Sequence, residues 1–239
     1  MPAFFRRRPP WERGKGSEVR FWRKWFRTKG YRWPDDFRRR LDPETPFNPY
    51  LRRFIAEELP VVRVLDVGAG PLTNTGYHWP GRELRITAVD PLADEYRELY
   101  RRYGIKPPVE TVYGRAEELS SLFGPESFDL VQACNSLDHA ADPLRGLREM
   151  VACVRRGGWV ILNHRADEGR KERYRGFHQW DFSLHRGRFH ICGRNGQGWY
   201  VDQELSGVEI EVNPELTGWV QVHIHKVAEG NCFSAQVTG

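Results

Sequence analysis

The sequence predicts a doubly wound α/β fold built on a mostly parallel sheet, and three observations predict it. Residues Val61 to Val67 form a short, β-branched apolar run that leads directly into the turn Gly68-Ala-Gly70, and such a run is buried on both faces in a parallel sheet. Further apolar runs at 84–90, 109–113, 128–134 and 159–162 alternate with helical patterns, the signature of strands joined by crossover helices. The second and fourth runs end in polar residues, Asp90 and Asn135 to His139, at the strand tips where open α/β sheets bind ligands.

Asp66 sets the chemistry of the first turn. A pyrophosphate laid against Gly68 and Gly70 would be repelled by the adjacent carboxylate, so a ligand without phosphates is favoured. The pattern also departs from the dinucleotide fingerprint, whose third small residue falls where Thr73 stands. The stretch Leu65-Asp-Val-Gly-Ala-Gly-Pro71 resembles the first motif of class I S-adenosylmethionine-dependent methyltransferases, apolar-Asp-x-Gly-x-Gly. That resemblance implies S-adenosyl-L-methionine as cofactor. Gly68, Ala69, Gly70 and Pro71 would cradle its amino-acid and ribose part, and Asp66 would organise contacts around its ammonium. A glycine-rich first turn is tolerated by any doubly wound fold, so this motif alone does not decide the ligand.

Leu84 to Asp90 reads as the second parallel strand and ends in a carboxylate just before Pro91. An acidic side chain there faces the crevice and can accept from both ribose hydroxyls; capping of the helical run Ala93 to Tyr103 is the plain alternative. Val109 to Tyr113 reads as a third strand and Gly114 to Leu119 as the start of a helix. The resemblance places Ala116 and Glu117 beside the adenine, while helix N-terminal charge accounts for Glu117 equally well. The fourth strand, from Phe128, is followed by Asn135, Ser136, His139 and Asp142-Pro143. This is similar to the fourth motif of small-molecule methyltransferases, with Asn135, Ser136 and Pro91 added to the cofactor-binding set. It lacks the Asp/Asn-Pro-Pro-Tyr signature of nucleic-acid amino-methyltransferases.

Leu144 to Val154 continue at helical spacing, Gly157-Gly158 are expected to end that helix, and Trp159 to Leu162 form the fifth strand. Val208 to Val212 and Trp219 to Lys226 alternate cleanly and fit the antiparallel pair that closes class I methyltransferase sheets. The resemblance therefore implies a seven-stranded, Rossmann-like sheet of order 3-2-1-4-5-7-6.

The chain of 239 residues divides into a basic, aromatic-rich N-terminal extension, 1–58, and a methyltransferase domain, 59–239, carrying an insertion at about 166–200 with a hairpin around His185-Arg-Gly187. Residues 1–60 carry a net charge of +8 and the remainder −3. Residues 1–16 are expected to be irregular, with Ser17 capping a helix from Glu18 to Lys29; a short helix follows Pro34, and a third runs from about Pro46 to Glu58. The stripe of Val19, Trp22, Trp25 and Phe26, with Trp33, either packs on the sheet domain or covers the site as a lid. The tail from Gly230 has little pattern. No apolar run is long enough to cross a bilayer or act as a signal peptide, so a soluble cytoplasmic chain is expected. The four cysteines show no Cys-x-x-Cys pair and read as free thiols, two of them in the core; neither a disulfide framework nor a metal site is expected.

Methyl transfer needs an acceptor aligned with the activated methyl and, for a hydroxyl, a group to take its proton. His139, past the fourth strand, His164, past the fifth, and His178, in Tyr174-Arg-Gly-Phe-His-Gln-Trp-Asp181, are the candidate catalytic residues. Helix capping, strand-end hydrogen bonding and aromatic packing are their structural alternatives. The expected partner is a small-molecule methyl acceptor, methylated at oxygen rather than nitrogen. A nucleic-acid-binding or RNA-methylating protein using the Arg-rich N-terminus is the competing reading, without a supporting motif.

Overall fold

The computed structural model describes residues 10–213 and 217–227. Ten strands run in chain order: β1 Val61–Val67, β2 Glu83–Asp90, β3 Val112–Tyr113, β4 Phe128–Cys134, β5 Val154–Arg165, β6 Trp180–His185, β7 Arg188–Gly193, β8 Gly198–Tyr200, β9 Val208–Asn213 and β10 Trp219–Lys226. The helices are α1 Pro10–Arg27, α2 Pro34–Leu41, α3 Pro49–Arg52, α4 Ala93–Tyr103, α5 Leu119–Phe123, α6 Pro143–Cys153, α7 Glu168–Lys171 and α8 Val201–Glu204. β1 sits inside a seven-stranded sheet, between and parallel to β2 and β4, and the full order is β3-β2-β1-β4-β5-β10-β9. Counted within that sheet, this is the expected 3-2-1-4-5-7-6, with β10 antiparallel to both neighbours.

The central strands are apolar on both faces because both faces are covered. Val62, Val64 and Leu130 pack against Phe47, Leu51 and Ile55 on one side. Leu65, Val67, Val131 and Ala133 pack against Leu147 and Met150 of α6 on the other. A third apolar cluster joins Trp25 and Phe26 of α1 and Phe37 of α2 to Tyr96, Leu99 and Tyr100 of α4. Trp25 and Phe26 are therefore core residues. Cys153 is buried, Cys134 and Cys192 are partly so, and all three are free; Cys232 and the tail from Gly230 lie outside the described residues.

Where the elements depart from the sequence reading, tertiary contacts explain the change. α1 begins at Pro10, before the expected cap; Ser17 lies inside it and donates from Oγ to Gly14 O (2.6 Å). A Cβ on Gly14 would collide with the Phe177 ring, so this glycine serves a close helix–loop contact that local propensity does not anticipate. Residues 1–9 lie outside the described residues. The third helix shrinks to α3, because Pro46 bridges to His78 and the Phe47 amide donates to His78 O (2.7 Å), holding the preceding chain extended. Asn48 caps what remains by accepting from Tyr50 N (2.9 Å). β3 has only two residues, and the turn after it opens as a 3-10 turn, Ala116–Glu118, before α5. The expected hairpin around His185-Arg-Gly187 gains a third strand, giving the separate sheet β6-β7-β8.

Gly157 and Gly158 do not end α6. The helix stops at Cys153 and β5 begins at once, with a register shift against β4 between Phe128↔Val154 and Leu130↔Trp159. Gly157 takes φ +72°, and a Cβ on Gly158 would lie 2.7 Å from Asp129 O, so the two glycines serve a strand irregularity. Asp129 ties this irregularity to β1: its buried carboxylate accepts from Arg63 N (2.8 Å) and Arg155 Nε (2.8 Å). Burial alone would raise its pKa, but the Arg63 and Arg155 donors hold it below the usual value. Asp129→Ala leaves these donors unmatched. A loss of about 2 to 3 kcal/mol is expected, or roughly 5 to 10 °C in Tm by thermal denaturation; an unchanged Tm would contradict this assignment.

Candidate functional site

The strand tips of β1, β2 and β4 open on one cavity of about 1000 Å³. At its floor the turn after β1 is bonded to the end of β2: the amides of Gly68 and Ala69 both donate to Val89 O (2.8 and 3.1 Å). The Gly70 amide donates to Asp90 Oδ2 (3.1 Å), and Leu92 N donates to Asp90 Oδ1 (2.8 Å). Two glycines make the turn possible. Both have φ of +66°, and a Cβ on Gly68 would collide with the Ser136 side chain, while one on Gly70 would stand 2.9 Å from the Trp22 ring. Ser136 fixes the turn from the β4 side by donating from Oγ to Val67 O (2.8 Å).

Both carboxylates are buried. Asp66 accepts from Thr73 Oγ1 (2.6 Å) and Gln132 Nε2 (2.9 Å). Burial raises its pKa, opposed by those two donors and by the charge of Arg40. Asp90 is pushed up to about 7, chiefly by burial, with the Leu92 and Gly70 amides opposing and the charge of Glu18 adding to the rise. Thr73 and Gln132 carry no ligand signature in the sequence, although Thr73 sits in the motif as the residue that departs from the dinucleotide pattern.

Asp66, Gly68, Ala69, Gly70, Asp90, Pro91, Ala116, Glu117, Asn135 and Ser136 all line this cavity. Pro71 lies outside its lining and instead accepts from the Tyr100 hydroxyl at its carbonyl. Glu117 is buried, and its Oε1 accepts from the amides of Ala141 (2.8 Å) and Asp142 (3.1 Å), so this side chain staples the loop after β4. Asn135, at φ +51°, accepts at Oδ1 from Arg165 N (3.1 Å) and joins the tips of β4 and β5.

The three candidate histidines meet around Asp138, a residue that sequence reasoning does not single out. His178 Nδ1 lies 2.8 Å from Asp138 Oδ2 and 3.1 Å from His139 Nε2. His139 and His178 line the cavity; His164 does not, and stands behind Asp138 with its Nδ1 3.8 Å from Oδ1. Burial would raise the Asp138 pKa, but the surrounding imidazoles of His139, His164 and His178 hold it well below the usual carboxylate range. Burial opposes protonation of His178, yet the Asp138 carboxylate raises its pKa overall. The signal that could find Asp138 is its place directly before His139 in the turn after β4.

The N-terminal segment supplies the opposite wall, through Glu18, Trp22, Arg32, Asp36, Arg39 and Arg40 among others. The Arg-rich α2 is paired internally: Asp36 lies within 2.7 Å of Arg39 Nη2 and 2.8 Å of Arg40 Nε. Arg40 Nη1 also donates to Leu72 O (2.8 Å), in the loop after the glycine turn.

Residues 65–162 match a family model described as a methyltransferase domain. The segment from Leu65 to Leu162 is by this similarity a methyltransferase domain. Its matched segment runs from Leu65, beside Asp66, to Leu162 in β5, and so covers the turn, both carboxylates, Asp138 and His139. The chain is 32% identical over 129 residues to a ubiquinone biosynthesis O-methyltransferase of Xanthomonas campestris, covering 51% of this chain and 52% of the relative. A namesake from Bordetella avium is 31% identical over 134 residues, 51% of this chain and 54% of the relative. The chain thus spans about half the length of the curated relatives it matches. Among solved structures, an S-adenosylmethionine-dependent methyltransferase from Thermotoga maritima superposes with a TM-score of 0.51 at 17% identity, covering 91% of this chain and all of that one. The methyltransferase fold is shared across that span. No helix among the described residues is long and apolar enough to cross a membrane.

The tight fit between turn and β4 loop is testable. Gly68→Ala should lower Tm, because its Cβ must displace Ser136 and hold a strained φ, at a cost of about 1 to 3 kcal/mol. Adding Ser136→Gly should recover part of that loss; a double variant no more stable than the single one would show that the contact is not the cause.

Proposed function

We propose that this chain transfers a methyl group from S-adenosylmethionine to an oxygen of a small-molecule acceptor. One observation carries the reading: the Asp66 and Asp90 strand tips and the His139–His178 wall line the same cavity, about 1000 Å³ in volume, which is large enough for a cofactor with a small acceptor. The named function of the Xanthomonas and Bordetella relatives, O-methylation in ubiquinone biosynthesis, supports oxygen as the acceptor atom.

The residues present fit the cofactor. The glycine cradle holds no Cβ that would obstruct close approach, and both Asp90 oxygens, each with one backbone donor, keep lone pairs for ribose hydroxyls. Asp66, with Thr73 and Gln132 fixing its oxygens, supplies negative charge toward an ammonium. The Trp22 indole lines the cavity, and its buried Nε1 has no hydrogen-bond partner among the described residues, so it is available to a ligand acceptor. The cofactor, when bound, supplies an activated methyl group. The protein's part is to align the acceptor, exclude water and receive or neutralise a proton. In this reading the acceptor hydroxyl faces His139 and His178, and His164 acts behind them as a positioning residue through Asp138. The described part of the 1–58 extension closes the opposite side as a lid over the domain 59–239. Ala116 and Glu117 border the adenine, with Glu117 holding the loop in place.

Calorimetric titration with S-adenosylhomocysteine tests the reading. Asp90→Asn and Asp66→Ala should each weaken binding by about ten- to a hundredfold, as expected for losing hydrogen bonds to a charged group. Hydroxyl donors favour the ionised form of Asp90, whose pKa lies at about 7 without ligand. Affinity should therefore be constant at high pH and fall as pH drops through about 7. Asp90→Asn should flatten that profile. Unchanged affinity in both variants, or no titration in the wild type, would overturn the proposed site.

A further inference from the structure

We propose that Asp138, His139 and His178 bind one divalent first-row transition metal ion at the cavity wall, with its open coordination positions toward the acceptor. The sequence offers no compact ligand spacing, because His178 is 39 residues from His139 and reaches it only through the segment that follows β5. In the fold, one ligand atom from each residue falls within 4.8 Å of the others. The three separations are 2.8 Å for His178 Nδ1 to Asp138 Oδ2, 3.1 Å for His178 Nδ1 to His139 Nε2, and 3.6 Å for His139 Nε2 to Asp138 Oδ2. A point lies about 2.1 Å from all three atoms, roughly 1 Å above their plane, and 2.1 Å is the bond length that imidazole and carboxylate make to such a metal. Two imidazoles and one carboxylate on a single face form a set that leaves positions open and that selects iron, cobalt, zinc or their neighbours over magnesium and calcium.

Hydrogen bonding alone satisfies this arrangement poorly. The Nδ1 of His178 offers either one proton or one lone pair, yet it faces both a carboxylate oxygen and a second ring nitrogen. If it carries the proton, that proton cannot point fully at both; if it does not, a lone pair confronts the Asp138 oxygen. A cation at the shared point satisfies all three at once. Behind the triangle, Asp138 and His164 are 2% and 1% exposed, and Asp138 Oδ1 and both ring nitrogens of His164 have no hydrogen-bond partner among the described residues. With Nδ1 of His164 3.8 Å from that Oδ1, this pair is placed to orient the carboxylate from outside the coordination sphere.

His139 and His178 line the cavity and Asp138 lies behind them, which turns the open side of the metal toward the space facing the cofactor turn. An acceptor with two adjacent oxygen donors would chelate there, and a coordinated hydroxyl would be acidified and lose its proton to solvent. The acceptor class rests on the methyl-transfer reading, whereas the metal site does not.

The test is titration of untagged, chelator-stripped full-length protein with cobalt(II), followed by visible absorption, and with zinc(II), followed by calorimetry. One equivalent should bind, with d–d bands characteristic of nitrogen and oxygen ligation. His139→Gln and His178→Gln, which keep bulk and polarity but lose the imidazole ligand, should each weaken binding at least about a hundredfold while remaining folded by circular dichroism. Binding absent in the wild type, or unchanged in either variant, overturns the site. Should a Gln variant fail to fold, protection of His139 and His178 from diethylpyrocarbonate by one equivalent of zinc supports it, and equal modification with and without zinc overturns it. Wild-type protein that binds cobalt but not S-adenosylhomocysteine upholds the metal site and removes the methyl-transfer reading; binding of S-adenosylhomocysteine without cobalt removes the metal site alone.

Discussion

Everything at the crevice depends on how the turn after β1 is bonded to the tip of β2. Two successive amides, Gly68 and Ala69, share the carbonyl of Val89, and the next amide, Gly70, reaches the Asp90 carboxylate. Those bonds require positive φ at both glycines and leave no room for a side chain at Gly68, where Ser136 presses in from the end of β4. The tips of three adjacent parallel strands are thereby joined as one rigid unit, and the two carboxylates are held in fixed relation to each other. Rigidity of this kind keeps buried carboxylates oriented toward a ligand, since a mobile pair would turn to solvent or to each other's donors.

Much of this is legible in the sequence because it is local. The apolar run ending in Asp66, the glycine spacing and the carboxylate before Pro91 each occupy a few consecutive residues, and β1, α4 and β10 fall at the expected bounds. Elements depart from expectation where distant contacts decide them. α1 extends back across Gly14 and Gly16, poor helix formers, because Gly14 packs against Phe177. Gly157 and Gly158 look like a helix stop and instead serve a strand irregularity in which Gly158 packs against the Asp129 carbonyl of the neighbouring strand. The segment 53–58 has the apolar periodicity of a helix, but the chain there runs in turns, and Arg82 donates to the carbonyls of Ala56 and Glu57.

The histidine cluster shows the same division more sharply. Each histidine is visible as a polar residue past a strand tip, yet nothing in the spacing shows that they converge. Convergence is set by β4 and β5 lying side by side, which brings His164 behind Asp138, and by the return of the chain over the sheet, which carries His178 to His139. Asp138 escapes a reading of the sequence because a single carboxylate between Leu137 and His139 has no pattern of its own. Its importance comes from being buried with three imidazoles around it.

The N-terminal segment and the segment that follows β5 are structurally linked. α1 touches the glycine turn through Trp22 and the latter segment through Gly14 and Phe177, while α2 reaches the loop after the turn through Arg39 and Arg40. The arginines of α2 are engaged by Asp35, Asp36 and the carbonyls of Leu72 and Asn74, which ties this helix to the loop beside the crevice. The most direct test of the whole account is a crystal structure of the chain with S-adenosylhomocysteine. The account predicts the ribose hydroxyls on Asp90, the ammonium toward Asp66 and the sulfur facing His139 and His178 across the cavity. A ligand bound elsewhere, or a crevice filled by Trp22 and Glu18 with the carboxylates turned away, would contradict it.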